Sequence, residues 1–404
     1  MTYHIDLKIR NFTASQKAYR LFPGLAYRHY DAMRYNSVVF LDLPSFPAAT
    51  AVPYEQSDAM AQAIAKSDAL SSSVFRQDGE DRAERLSEAL TADYSSARWT
   101  PRRAQQLSWA KALYETAQPG DVVVVPGNDT IEKNESGRET VRGTLIGEII
   151  GSPERWTGIG QYADAHFLVR RVKWLTIADE RDLTRRTRRA LRTQNALVNL
   201  PTDEIKAVLG AAYKNVIVGN DVLARFLTGN EEFTASESFH FQAFVMAVVA
   251  AMKELEDNED LLVGTGDQDR RSFYELAGTV RGQNFDHLVP EQDASIHSPG
   301  YTTLKSKNIL PFVVAGLFAL ANAANGQPTP DEQLPEIVVK NSESDSYDPC
   351  AAGIDDKMKQ VVELWGYSVW QEACRAAELA SEDDGLSSIA TVTHEAEIEN
   401  DDSE

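Results

Sequence analysis

The strongest constraint on the fold is a change of rhythm near residue 120. Gly120-Asp121 opens the run Val122-Val123-Val124-Val125, which stops at Pro126-Gly127. A polar stretch from Asn128 to Arg138 separates it from Gly143-Thr144-Leu145-Ile146-Gly147-Glu148-Ile149-Ile150. A Gly-containing segment with Trp156 and Tyr162 then leads to His166-Phe167-Leu168-Val169-Arg170-Arg171-Val172-Lys173-Trp174-Leu175. These apolar runs have strand length and lie between turn signals. Several short strands at this spacing predict a small barrel or curled sheet. Gly143 and Gly147 fall inside a strand, where glycine marks a bulge or a close approach of backbones, and a small barrel needs such points to bend.

The flanking segments read differently. Val38-Val39-Phe40-Leu41, stopped by Asp42-Leu43-Pro44, predicts a buried strand in the N-terminal part. Met60, Ile64, Leu70, Phe75, Leu86 and Leu90 mark helical turns, as do Leu107, Ala110 and Leu113. Past residue 178 the pattern is mainly helical, with helices expected over 179–197, 239–255, 272–281, 309–324 and 357–379. The run Ile309 to Ala324 is interrupted by Pro311 and is shorter than a membrane span needs, so it predicts a buried helix. The resulting expectation is an α+β protein: an N-terminal α+β domain over 1–110, a β-barrel over 111–178, a helical domain over 179–381 and a disordered acidic tail over 382–404. Residues Met1 to Lys8 lack a basic n-region followed by an apolar run, which argues against secretion, and Cys350 and Cys374 stand far apart with no CxxC pair, so a cytoplasmic protein without membrane contact is expected.

Charge is divided unevenly. The chain has 40 Lys+Arg and 61 Asp+Glu, but residues 1–192 hold 27 of the basic and 24 of the acidic groups. From Arg170 to Arg192 nine basic residues face three acidic ones. Thr176 is placed to cap a helix whose first turn carries Asp179, Glu180 and Asp182. Arg181, Arg185, Arg188, Arg189 and Arg192 then recur at three- and four-residue spacing, with Arg186 beside them and Leu183, Ala190, Leu191 and Leu197 opposite. Like charges at this spacing repel, and a phosphate backbone would relieve them. An ordinary solvated face and a face that docks the acidic C-terminal region are the competing explanations.

The succession Pro119-Gly120-Asp121-Val122-Val123-Val124-Val125-Pro126, then Ile146-Gly147-Glu148-Ile149, then Arg170-Arg171-Val172-Lys173-Trp174-Leu175 resembles a PUA-like barrel of the EVE and ASCH types, which accompany prokaryotic restriction and defence proteins. The resemblance covers about residues 117–175. It implies nucleic-acid sensing in an antiviral defence or restriction setting, with aromatic residues stacking on an extruded base. The residues expected to bind are therefore Arg170, Lys173, Arg185, Arg186, Arg188, Arg189 and Arg192 for phosphates, and Trp156, Tyr162 and Trp174 for a base. The expected partner is nucleic acid, DNA in preference to RNA, with protein partners of a defence complex beside it.

Two other classes stay open. Asp42 ends a strand, and with His29 and Asp31 upstream it could serve a metal-dependent nuclease. An interaction subunit without catalysis would use the same arginine face and acidic tail for protein contacts. Glu204-Ile205-Lys206 has the letters of a nuclease motif but falls where a helix begins. No P-loop, strand-linked dinucleotide fingerprint or HExxH is present, so no cofactor is expected. Gly264-Thr265-Gly266 reads as a turn, and Asp286-His287 and His297-Ser298 offer no clear ligand set.

Overall fold

The three expected strands are neighbours in one sheet. In the computed structural model, Val122–Val125 lies antiparallel to Thr144–Ile149, which lies antiparallel to Phe167–Ala178. The structure describes residues 2–75, 82–127, 131–133, 139–141, 143–158, 162, 165–178, 183, 185–193, 195–229, 233–257, 272–280, 288–295, 300–324, 334–343, 347–382 and 385–395. The chain is a mixed α+β protein, and it divides into two units, Ala14–Ala212 and Met1–Thr13 with Tyr213–Glu404.

In the Ala14–Ala212 unit the sheet order is Leu197–Asn199, Ala18–Leu21, Val122–Val125, Thr144–Ile149, Phe167–Ala178 and Val38–Val39. The long strand changes partners along its length. Its first part pairs with Glu154–Trp156 and with Val38–Val39, its second part with Thr144–Ile149, and the register slips between Trp174 and Thr176. An irregularity of this kind bends a strand and curls the sheet. The helices Asp58–Phe75, Arg82–Thr91 and Pro101–Ala110 cover a core built from Phe40, Phe46, Ile64, Leu107, Leu113, Val123 and Phe167. The last of them continues as a wider turn over Lys111–Thr116.

Gly147 is the close approach that the sequence predicts. A Cβ there would stand 2.6 Å from Cε3 of Trp174 and 2.9 Å from the Lys173 carbonyl oxygen, so the indole lies on bare backbone. Gly147→Val is expected to cost about 3 kcal/mol through overpacking. An unfolding midpoint equal to that of the natural protein would show that Trp174 does not lie there.

The domain boundaries differ from expectation at both ends. Ala18–Leu21 pairs in parallel with Val122–Val125, so no boundary falls at 110: the helices before it and the strands after it share one core. Residues 2–12 leave that core altogether. Thr2–Asp6 lies between Glu336–Lys340 and Thr391–Glu395, and Ile9–Phe12 pairs with Asn215–Val218. The region 179–381, expected to be helical, also carries strands Asn215–Val218, Asp221–Thr228, Glu291–Ser295, Tyr301–Ser306 and Glu336–Lys340. Nor is the acidic end wholly without structure: Leu386–Ser388 pairs with Asp221–Thr228, and Leu386 and Ala390 are buried. These apolar residues give the segment something to bury despite its charge, whereas residues 396–404 lie outside the described part.

The helices of this second unit are Ala235–Asp257, Phe273–Thr279, Leu310–Ala324 and Ile354–Ser381. Ala235–Asp257 is long and apolar enough to cross a membrane, yet its middle is buried here among Phe226, Phe318 and Trp365. Leu310–Ala324 is buried, as its apolar run predicts. Ile354–Ser381 breaks at Gly366, whose φ of 65° belongs to the left-handed region that favours glycine. The cysteines are free thiols, Cys350 exposed and Cys374 buried. Gly264-Thr265-Gly266, Asp286-His287 and His297-Ser298 lie outside the described residues.

Candidate nucleic-acid interface

The arginine segment folds differently from the long helix its spacing suggests. Thr176 still belongs to the strand Phe167–Ala178. Among the described residues of the segment only Arg185–Leu191 is helical, and Leu197 already belongs to the strand that pairs with Ala18–Leu21. Asp179, Glu180, Arg181 and Asp182 lie outside the described residues. Sheet pairing at Leu197 overrides the helical periodicity, because a paired strand satisfies backbone groups that a helix end would leave open.

The short helix keeps the expected two faces. Thr187 and Leu191 are buried, as is Leu183 just before it. Arg185, Arg186, Arg189 and Arg192 are exposed, and Arg188 is half-buried. All five line one concavity of about 800 Å³. Arg186 is held by carboxylates of the next helix, Thr202–Tyr213: its Nε donates to Glu204 at 2.9 Å, and Asp203 accepts at 3.4 Å. Among the described residues no carboxylate stands within ion-pair distance of Arg185, Arg188 or Arg189. The Nε of Arg188 is buried without a hydrogen-bond partner.

A sixth guanidinium lies nearby in the chain's connectivity. Arg20, on the strand Ala18–Leu21, is wholly buried and donates at 2.5 Å to the hydroxyl of Thr193, the residue after Arg192. Its Nε and a second terminal nitrogen have no partner. Burial pulls it down to about 10, so it remains a cation at neutral pH. A buried cation with unpaired donors is unfavourable by itself. Arg20 is not in the described lining of the concavity, and the interleaved basic and aromatic residues Lys17 to Arg20 do not by themselves tie it to the arginine helix. The signal that could have found it is a charged residue in the middle of a four-residue strand that is buried along its whole length.

Two of the expected binding residues are inside the protein. Arg170 is buried on the strand Phe167–Ala178, in the field of Asp121, Tyr19 and Tyr114, with burial pulling its own ionisation down. It cannot reach a phosphate, because the first four residues of that strand are covered on both faces. Tyr162 is fully buried, edge-on to Phe167 at 5.0 Å, and cannot stack on a base. Lys173 is exposed, opposite Glu148 in the register. Trp156 and Trp174 are half-buried. Trp156 packs at 6.0 Å from Phe40, and the Trp174 indole donates to the Met33 carbonyl at 3.3 Å. Neither indole is brought to the arginine concavity, whose described lining is the five arginines.

The other sequence candidate, Asp42, is the centre of a partly buried polar cluster. The Nη2 of Arg28 donates to its Oδ2, which the Ser71 hydroxyl also approaches at 3.3 Å. His29 Nε2 stands 3.0 Å from Oδ1, and the Tyr162 hydroxyl donates to the same oxygen at 3.3 Å. Arg28 in turn donates to the Ser71 hydroxyl at 2.5 Å. The His29 ring is caged by Phe40, Tyr162 and Phe167. The backbone leading in is strained, with φ of 55° at Ala26 and 57° at Tyr27. Burial works against the Asp42 carboxylate, but the hydrogen bond and charge of His29 and the Arg28 guanidinium outweigh it and hold it at about 2. Burial, followed by the neighbouring Asp42 charge, pushes the Tyr162 phenol up.

This arrangement does not suit the metal-centred alternative. Both Asp42 oxygens are taken, and the guanidinium beside them would repel a divalent cation. Asp31 is not among its partners, and among the described residues no group of three or more His, Cys, Asp or Glu could hold a metal ion. Glu204 lies in the first turn of Thr202–Tyr213 and pairs with Arg186. No protein-family model, curated protein or solved structure matches this chain.

Proposed function

We propose that this protein binds nucleic acid, using the arginine-lined hollow formed by Arg185, Arg186, Arg188, Arg189 and Arg192 as its phosphate-contacting surface. The observation that carries the reading is the convergence of five guanidinium groups on one concavity, three of them without a carboxylate partner among the described residues. A planar guanidinium matches phosphate oxygens bidentately. Crowding cations on one turn of helix is unfavourable until an anion arrives. The antiparallel order of Val122–Val125, Thr144–Ile149 and Phe167–Ala178 is compatible with the PUA-like reading of that segment, from which a sensing role in a prokaryotic defence setting follows. DNA is the preferred partner within this reading. Tyr162 is inside the core, so base stacking within this reading is left to the half-buried Trp156 and Trp174, at a place apart from the described lining of the concavity.

The test is the salt dependence of binding. If Arg185, Arg188 and Arg189 each meet one phosphate, the logarithm of affinity for a single strand should fall with the logarithm of salt at a slope of about −2 or steeper. Fluorescence anisotropy on a labelled strand between 50 and 300 mM salt, concentrations on the order of those that resolve such slopes, measures it. Absence of binding at the lowest salt would remove nucleic acid from consideration and favour a protein-interaction role.

A further inference from the structure

The shape of the arginine site points to one part of a nucleotide chain. The inference rests on the nucleic-acid reading and deepens it. Proteins that read a duplex insert a helix or ribbon into a groove, so their arginines project outward. Here the arginines line a hollow, which receives a protruding group instead. It is open to solvent, and its volume of about 800 Å³ leaves room for several phosphoryl groups.

Charge density gives the second argument. Arg188 and Arg189 stand three and four residues after Arg185, so each has its Cβ roughly 5–6 Å from that of Arg185. Three unpaired cations thus sit on one turn. An internal phosphodiester of a single strand brings one negative charge per nucleotide. A terminal chain of phosphoryl groups brings several within the span of that turn. The buried, unpartnered Nε of Arg188 is a donor already desolvated and waiting for an acceptor, which is where a charge-assisted hydrogen bond counts most.

We propose that the concavity recognises a polyphosphate group, the phosphorylated end of a nucleotide or of a single strand, in preference to internal backbone. The free nucleotide and the strand end share this chemistry.

The experiment uses the full chain and 3′-labelled single strands of one sequence, one with a 5′-triphosphate and one with a 5′-hydroxyl, with inorganic tripolyphosphate and ATP as competitors. The triphosphorylated strand should bind about 10-fold more tightly, the effect of one charge-assisted hydrogen bond. Tripolyphosphate should displace it. Displacement by ATP as well makes free nucleotides ligands, and failure of ATP alone makes the strand end the ligand; either outcome upholds the proposal. Arg185→Gln/Arg188→Gln/Arg189→Gln should erase the preference between ends, and the exposed Arg98→Gln should leave it intact. Arg189→Lys, which keeps the charge but loses the fork, should reduce the preference without unfolding risk. Equal affinity for both ends with no displacement by tripolyphosphate overturns the proposal and leaves nucleic-acid binding standing. Binding of tripolyphosphate but of neither strand overturns the nucleic-acid reading while the pocket chemistry survives. Binding of none of them ends both.

Discussion

Asp42→Ala is expected to destabilise the protein by about 2 kcal/mol, because it removes the carboxylate on which a partly buried guanidinium, an imidazole and two hydroxyls converge. Arg28 would lose its carboxylate, and Ser71, His29 and Tyr162 would lose the acceptor that gathers them. Three separate stretches of chain meet at this one side chain, so its loss is felt beyond a single contact. The same carboxylate makes a specific statement about pH. Its folded value of about 2 lies below the ordinary 3.8, so it is a depressed acid. Such a group contributes its stability above the unfolded value and loses it as pH falls toward the folded one. The contribution is about 2 kcal/mol, present at pH 5 and fading between about pH 4 and pH 2. The stability difference between the natural protein and Asp42→Asn should therefore shrink over that interval. Denaturant unfolding at a series of pH values measures both effects. An Asp42→Ala protein of unchanged stability that has lost a divalent-metal-dependent cleavage would overturn this account and restore Asp42 as a catalytic carboxylate.

The second large effect concerns the arginine hollow. Arg188→Glu/Arg189→Glu should weaken binding to a single strand by 100-fold or more, roughly the loss of two charge-assisted contacts before any repulsion is added. The salt slope should fall by about 1.4 or more, since each phosphate contact on a single strand accounts for about 0.7 of it. Stability should change little: Arg189 is exposed, and among the described residues neither side chain has a carboxylate partner to lose. A variant that binds as tightly as the natural protein, with the same slope, would remove this surface from function. Affinity and slope must fall together, because a loss of affinity at constant slope signals damage elsewhere.

Much of this protein was legible in its chain order. The run of valines after Gly120, the Gly147 strand and the strand carrying Lys173-Trp174 announce themselves by apolar content and turn signals, and they are adjacent in the sheet. The exposed face of Arg185, Arg189 and Arg192 follows from spacing alone, because helical geometry puts such residues together whatever surrounds them. Both are local properties, set within about ten residues of chain. What only the tertiary structure decided is partnership. Arg170 and Tyr162 have the chemistry of binding residues, but the elements packed over them make them interior groups. The arginine helix is short because Leu197 pairs with Leu21, far away in sequence. Thr2–Asp6 takes its neighbours from the other end of the chain, so an acidic C-terminal segment that reads as a tail contributes the strand Thr391–Glu395. Asp42 becomes an ion-pair centre only where Arg28, His29, Ser71 and Tyr162 arrive together. Periodicity fixes which way a side chain faces along its own element, whereas burial and charge compensation depend on what the rest of the chain brings to that face.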